Sequence, residues 1–138
     1  MNPYTAYQRQ SSPVWTRIDM LLALFDAAIE RTEQLLDAMA RQDGSSVLRM
    51  RARAQLVVLG LWSGVHEKGG EVSANLVSLY QFSAQALADG GAEQVRGALR
   101  VLRTLREGFD GVQAEAIDLE RNGLIPPIDA VCAVRALV

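Results

Sequence analysis

Few side chains in the sequence are suited to metal or acid–base chemistry. The chain has a single histidine, His66, which is followed directly by Glu67. Helical bundles that hold iron or manganese draw several glutamates and a Glu-x-x-His element from more than one helix, and no second ligand pattern accompanies this histidine. We therefore interpret His66 as a residue at the C-terminal end of a helix, where it interacts with the helix dipole.

Covalent catalysis and phosphate binding also lack the residues that they need. Cys132 is the single cysteine, has no histidine near it in the sequence, and is interpreted as a small hydrophobic residue. Gly69 and Gly70 follow Lys68, but their surroundings match neither the G-x-x-x-x-G-K-[ST] nor the G-x-G-x-x-G pattern of phosphate-binding loops. We therefore predict a protein that is not an enzyme, with no catalytic residue, no bound metal and no cofactor.

Arginines cluster on two of the predicted helices, and two interpretations of them remain open. They are Arg49, Arg51 and Arg53 on one segment, and Arg96, Arg100 and Arg103 at helical spacing on another. The first interpretation is an ordinary solvated helix face, and the second is a contact with an acidic patch on a protein partner. No aromatic residues interleave with these arginines, so the sequence does not predict binding to single-stranded nucleic acid.

The composition is that of one globular domain. Of its 138 residues 49% are hydrophobic and 22% are charged, and the net charge of −2 gives no general attraction to nucleic acid or to anionic lipid. A lone cysteine suits a reducing cytoplasm, and the N-terminus lacks the basic-then-apolar order of a signal peptide. No apolar run is long enough to span a bilayer. We expect a soluble cytoplasmic protein without a membrane insertion.

The spacing of apolar residues predicts an all-α protein. Apolar residues recur at intervals of three and four through four long segments, and no stretch alternates as a strand does. Short connections between segments of similar length predict an antiparallel up-down four-helix bundle. An N-terminal arm, the bundle and an apolar tail with a short helical segment are expected at residues 1–15, 16–123 and 124–138. The predicted helices cover about 17–41, 46–67, 70–89 and 92–121.

Capping residues and glycines set these boundaries. Thr16 is a predicted N-cap, with Asp19 in capping-box position three residues later, and Ser46 is the predicted N-cap of the second helix. Gly69 and Gly70 adopt positive φ without steric cost, so they are expected to turn the chain into the third helix.

Two further glycines interrupt the apolar face of the second helix. Gly60 and Gly64 are four residues apart, and each glycine inside a helix costs about 1 kcal/mol relative to alanine. Together they would leave a trough without side chains on one helix face. One interpretation is the close approach of a neighbouring helix, and the other is a groove for the side chains of a partner.

Four blocks of the sequence, in the same order as in the family, resemble the flagellar secretion chaperones of the FliS family. They are Asn2-Pro3-Tyr4-x-x-Tyr7-Gln8, Leu24-Phe25-Asp26-x-Ala28-Ile29, Lys68-Gly69-Gly70-Glu71-Val72-x-x-Asn75-Leu76-x-x-Leu79-Tyr80 and Leu102-x-x-Leu105-Arg106-Glu107-x-Phe109. The third block is the most specific of the four.

The resemblance implies a helical bundle that binds the C-terminal segment of flagellin in the bacterial cytoplasm. Such a chaperone blocks premature polymerisation of flagellin and delivers it to the type III export gate. Family members also place the N-terminal arm over the client groove, a role that would fall here to Tyr4 and Tyr7. We expect a monomer that binds one client chain.

The predicted client groove is lined by the second, third and fourth helices together with the arm. The predicted partner-binding residues are Tyr4, Tyr7, Val57, Leu61, Val65, Leu76, Tyr80 and Leu99. An alternative is a structural or regulatory bundle that binds another flagellar partner or self-associates through Gly60 and Gly64. Residues 124–138 either pack on the bundle or mimic the client in or near the groove.

Overall fold

Five α-helices and no strand occupy the part of the chain that the computed structural model describes, residues 15–65 and 69–124. The helices are α1 (Arg17–Ala40), α2 (Gly44–Ser63), α3 (Gly70–Asp89), α4 (Ala92–Asp110) and α5 (Gln113–Arg121). The all-α prediction is confirmed. None of these helices combines the length and the apolar character that crossing a membrane requires.

The capping box predicted at the start of α1 is present. The backbone N–H of Asp19 donates to Thr16 Oγ1 at 3.4 Å, and the backbone N–H of Thr16 donates to Asp19 Oδ2 at 3.1 Å. These bonds satisfy two of the N–H groups that have no partner within a helix at its N-terminus.

The second helix differs from its prediction at both ends. It begins at Gly44 because Asp43 is its N-cap, and Ser46 serves that cap by donating its backbone N–H and its hydroxyl to the Asp43 carboxylate. It ends at Ser63, where Gly64 is the C-cap and donates its N–H to Leu61 O at 3.2 Å. The prediction of a helix to residue 67 was therefore wrong, and Gly64 does not extend a trough inside the helix.

The predicted fourth helix, 92–121, is two helices. The chain turns at Gly111 and Val112, whose N–H groups donate to Glu107 O and Phe109 O. Glycine weakens a helix at this point, and the short helix α5 that follows packs on α1. Two long-range hydrogen bonds hold it there, from Gln113 to Asp19 at 3.0 Å and from the backbone N–H of Arg17 to Glu120 Oε2 at 2.9 Å.

The four longer helices pack in a ring, each against two others. Helix α1 contacts α2 and α4, and α3 closes the ring by contacting the same two helices, as expected of a four-helix bundle. Phe25 lies at the centre, with its ring centroid 5.5 Å from that of Phe109 and 6.4 Å from that of Tyr80. The side chains of the central core are Leu24, Phe25, Ala28, Leu35, Ala54, Val57, Val58, Leu61, Tyr80, Ala84, Leu87, Val95 and Leu102.

An arginine of α2 fixes the corner between α3 and α4. The guanidinium of Arg51 donates to the carbonyl oxygens of Ala86, Leu87 and Gly90 at 3.4, 3.1 and 2.7 Å. These carbonyls lie at the C-terminus of α3, where orphan acceptors and the helix dipole favour a cation. Arg51 is partly buried and joins α2 to the C-terminal end of α3.

Replacing Arg51 with methionine should remove this junction while keeping a long side chain that suits a helix. We expect the free energy of unfolding to fall by about 2 kcal/mol, because three carbonyl oxygens lose a charged donor. Urea unfolding followed by circular dichroism measures the change.

Arg53→Met is the matched control, because Arg53 is exposed and its side chain makes no hydrogen bond or ion pair within the described residues. It should change the free energy of unfolding by less than about 0.5 kcal/mol. Equal losses in the two variants would contradict the role assigned to Arg51.

Candidate functional site

The predicted partner-binding residues divide into three groups by position. Four are buried in the interior of the bundle: Val57, Leu61, Tyr80 and Leu99. Val65 and Leu76 are partly buried and pack against the core, whereas Tyr4 and Tyr7 lie outside the described residues. None of the buried four lines any of the surface hollows described below. Partner contact by any of the eight residues stays a prediction.

The seam between α3 and α4 carries an apolar groove. Its volume is about 380 Å³, and its lining residues are Leu79, Phe82, Gly97, Arg100, Val101, Thr104 and Leu105. A second hollow of about 590 Å³ lies on the same seam towards Gly90 and Gly91, and Phe82 lines both. The two hollows lie next to each other along α3 and α4 with Phe82 between them, and we call them together the α3–α4 groove.

Phe82 is the central apolar side chain of this groove, and it is 44% exposed. A Cβ atom added to Gly97 would lie 3.2 Å from Cζ of the Phe82 ring. The missing side chain at Gly97 thus leaves the room in which the ring lies beside α4. An aromatic ring held at a surface in this way is a typical anchor point for an apolar partner.

Sequence reasoning missed Phe82 because it does not share the helical face of Leu76 and Tyr80. It stands between Gln81 and Ser83 and was not part of any predicted apolar stripe. The available signal was the spacing of three from Leu79 to Phe82, which puts both apolar side chains on one face of α3.

The two seams of α4 differ in their polar contacts. On the α1 side, Arg106 pairs with Asp26 at 2.9 Å and Arg103 pairs with Glu33 at 2.8 Å. No side-chain hydrogen bond or ion pair joins α3 to α4 among the residues that the structure describes. An incoming segment could therefore occupy the α3–α4 groove without breaking a polar interaction of the bundle.

One cation stands at the edge of the α3–α4 groove. Of the three arginines at helical spacing on α4, Arg96 pairs with Glu93 at 3.3 Å and Arg103 pairs with Glu33. Arg100 lines the groove and makes no hydrogen bond or ion pair within residues 15–65 and 69–124. The Arg100 half of the groove thus combines apolar side chains with one available guanidinium, whereas the other half carries Gln85, Asp89 and Gln94. The Arg100 half suits an amphipathic segment that carries a carboxylate.

A further hollow borders α3 on its other side. It has a volume of about 530 Å³ between the end of α2 and the start of α3, with Trp62, Val65 and Val77 among its lining residues. Gly70 lines this hollow and has the predicted positive φ, 65°, whereas Gly69 has a φ of −77°, so the prediction holds for only one glycine of the pair. Helix α3 therefore has a hollow on both flanks.

A fourth hollow, near the start of α1, contains several charged side chains in its lining. Its volume is about 390 Å³, and it is lined by Trp15, Asp19, Leu22, Ala23, Asp26, Arg106, Asp110 and Gln113. Arg106 is shared between Asp26 and Asp110, and Gln113 donates to Asp19. These polar groups satisfy one another, so the hollow is better explained as the junction of α1, α4 and α5 than as a ligand site.

The Asp19 carboxyl accepts hydrogen bonds from both Thr16 and Gln113 at this junction. Partial burial disfavours its charged form, but hydrogen bonds from Thr16 and Gln113 and the positive charge of Arg121 outweigh that effect. The pKa of Asp19 is consequently lowered from its ordinary value. Metal binding has no comparable support, because no group of three or more His, Cys, Asp or Glu side chains in the described residues could hold an ion.

Comparison with known protein families gives a match to Flagellar protein FliS over residues 1–116. The match spans α1 to α4 and ends inside α5. The chain belongs to the FliS family. Membership supports a chaperone of flagellum biogenesis with a helical bundle fold, a family not known for enzymatic activity. A comparison with curated protein sequences gives no significant match.

The FliS family binds flagellar client proteins. The hollows on both flanks of α3 lie within the matched residues, as does the Phe82 and Gly97 pair. Most of α5 lies beyond them, so its docking on α1 through Glu120 is a feature of this chain outside the family match.

Removing the charge of Asp19 should expose its contribution to stability. A carboxyl with a lowered folded pKa stabilises the fold above its unfolded pKa of about 3.9, and this stability is lost as the pH falls through the folded pKa. We expect Asp19→Asn to lower the free energy of unfolding at neutral pH by about 1 kcal/mol. The gap to the unmodified protein should close between about pH 5 and pH 2.

Urea unfolding at a series of pH values measures both effects. Asp118→Asn is the control, because Asp118 is an exposed acid of α5 whose side chain makes no hydrogen bond or ion pair within the described part of the chain. A gap between Asp19→Asn and the unmodified protein that stays constant with pH would refute the assignment.

Proposed function

We propose that this protein is a cytoplasmic chaperone that binds the C-terminal segment of flagellin in the α3–α4 groove. By covering that segment, the chaperone keeps flagellin from polymerising too early and aids its type III export. The observation that carries the proposal is the open apolar seam around Phe82 in a member of the FliS family.

The mode of recognition follows from the chemistry of the groove. An amphipathic helix of the client lays its apolar face on Leu79, Phe82 and Val101. Each square ångström of apolar surface that leaves water contributes about 25 cal/mol, and ordering a disordered client offsets part of this gain. Arg100 then selects clients that carry a carboxylate beside their apolar anchors.

We infer that neighbouring helices of the bundle run antiparallel, as the sequence predicts. Support comes from three contacts in which rising residue numbers on α1 meet falling numbers on α4 and α5: Asp19 with Gln113, Asp26 with Arg106, and Glu33 with Arg103. In this arrangement the Gly90 and Gly91 corner closes one end of the groove. The client then enters from the side and from the other end.

Mixing the protein with the C-terminal segment of flagellin from the same organism tests the central claim. We expect a one-to-one complex in size-exclusion chromatography with light scattering. Full-length flagellin should also polymerise more slowly in its presence, because the polymerising segment is covered. If no complex forms at micromolar concentrations, the proposal fails.

Filling the groove should weaken the complex. In Gly97→Leu the added side chain meets the Phe82 ring and occupies the space offered to the client. We expect the dissociation constant to rise by about tenfold, which corresponds to about 1.4 kcal/mol. Isothermal titration calorimetry with the flagellin segment measures the change.

The control for this variant lies on the same helix. Gly108→Leu adds the same side chain to another glycine of α4, where an added Cβ meets no atom within 4 Å. Thermal unfolding of both variants checks that they fold. If both variants bind flagellin as the unmodified protein does, the client does not occupy the α3–α4 groove, although a complex formed elsewhere would remain.

A further inference from the structure

The outer face of α2 carries an apolar stripe that the bundle does not cover. Leu48, Leu56 and Leu59 are 73%, 48% and 46% exposed, and exposed Ala52 lies between them. Residues at these intervals of four, four and three share one face of a helix. We call these four residues the α2 stripe.

The α2 stripe lies opposite the buried face of the same helix. Ala54, Val57, Val58 and Leu61 are between 0% and 2% exposed in the core. A helix at the surface of a soluble protein usually places polar residues on its outer face. Helix α2 is instead apolar on two opposite sides, and the outer side has no partner among the described residues.

Positive charge runs along one edge of the α2 stripe. Arg49 and Arg53 are exposed, and α2 contains no acidic residue from Gly44 to Ser63. Arg49 donates to the neutral Ser46 hydroxyl at 3.4 Å, and neither arginine pairs with a carboxylate in the described part of the chain.

A neighbouring arginine of α1 reinforces this edge. The Arg31 guanidinium donates to the carbonyl oxygen of Arg53 at 3.3 Å. Partial burial lowers the pKa of Arg31, the positive charge of Arg53 lowers it further, and the negative charge of Glu30 opposes the shift. Arg49 and Arg53, which pair with no carboxylate in the described part of the chain, favour a ligand of opposite sign at this edge.

The charge pattern argues against a second copy of the chain as the occupant. A two-fold symmetric contact would bring the same helix face together from both copies. Arg49 and Arg53 would then approach the arginine edge of the partner, and α2 supplies no carboxylate to neutralise them. Like charges brought together in this way disfavour association.

We propose that the α2 stripe is a second docking surface, for an acidic amphipathic helix of a partner protein. The partner places apolar side chains on Leu48, Leu56 and Leu59 and carboxylates beside Arg49 and Arg53. From residue 48 to residue 59 the stripe is about 17 Å long, which matches a partner helix of about three turns. A surface of this size suits a weak and transient interaction.

This surface is separate from the proposed flagellin site. Helix α2 packs between α1 and α3, and no residue of α2 lines the α3–α4 groove, although Arg51 reaches the Gly90 carbonyl at one end of it. The two surfaces can consequently be occupied at the same time. The inference is independent of the identity of the client.

The test uses the full-length protein and two synthetic amphipathic peptides of about five helical turns. Both peptides carry the same leucine stripe, one with glutamates along its edges and the other with lysines. Fluorescence anisotropy at low ionic strength should give a dissociation constant about fivefold lower for the glutamate peptide. The double variant Arg49→Glu with Arg53→Glu should instead bind the lysine peptide more tightly than the glutamate peptide.

Two variants separate the α2 stripe from other sites. Leu56→Gln with Leu59→Gln keeps good helix formers on an exposed face and should raise the dissociation constant of the glutamate peptide by about tenfold. Arg96→Glu with Arg103→Glu makes the same charge change on α4 at two arginines that line neither surface, and should leave that constant within about twofold. Circular dichroism melts confirm that each variant folds.

Three results would overturn the proposal. The first is equal affinity for the two peptides. The second is loss of peptide binding in the α4 variant instead of the α2 variants. The third is a dimer of the unmodified protein that becomes a monomer in the variant Leu56→Gln with Leu59→Gln. The variant Leu56→Gln with Leu59→Gln should bind flagellin as the unmodified protein does. Loss of flagellin binding in this variant would show that the α2 stripe is part of the client site. If flagellin does not bind the unmodified protein, the proposed function fails while the peptide results still decide the stripe.

Discussion

The steric constraint at Gly90 determines how α3 and α4 meet. Its φ of −71° and ψ of 152° are open to any residue, so the backbone conformation does not require glycine. A Cβ at this position would lie 2.6 Å from Ala86 O and 2.9 Å from Gln94 Cβ, which is closer than atoms can approach. The last turn of α3 and the first turn of α4 can meet at this distance only without a side chain. Arg51 then holds the corner by donating to the Gly90 carbonyl.

Apolar periodicity predicted the helices and their buried faces because both depend on short intervals in the chain. Ile18, Leu22 and Phe25 are buried on α1, and Val95, Leu99 and Leu102 are buried on α4, at the spacings from which these helices were predicted. The capping box at Thr16 is equally local and was also correct. The break at Gly111 was missed because it accompanies the docking of α5 on α1, a contact between residues that are far apart in sequence.

The candidate site was less predictable for a physical reason. Periodicity finds the face of a helix that avoids water, but it does not distinguish burial in the core from contact with a partner. Tyr80 and Leu61 were therefore assigned to the partner, although both lie in the interior. Phe82 and the α2 stripe, by contrast, stand outside the main apolar faces, and their exposure became apparent only once the neighbouring helices were in place.

The unequal seams of α4 explain how an apolar groove can remain open in a stable bundle. Ion pairs at a surface contribute at most about 1 kcal/mol each to stability. The main effect of the pairs Asp26 with Arg106 and Glu33 with Arg103 is therefore on the position of α4. They align it with α1, while the corner at Gly90 fixes its spacing from α3. Between these two restraints Gly97 leaves the Phe82 ring beside the α4 backbone with part of its surface still in water. A partner that covers the ring removes that surface from water without displacing a native polar contact, which is the condition for reversible binding by a chaperone that must later release its client.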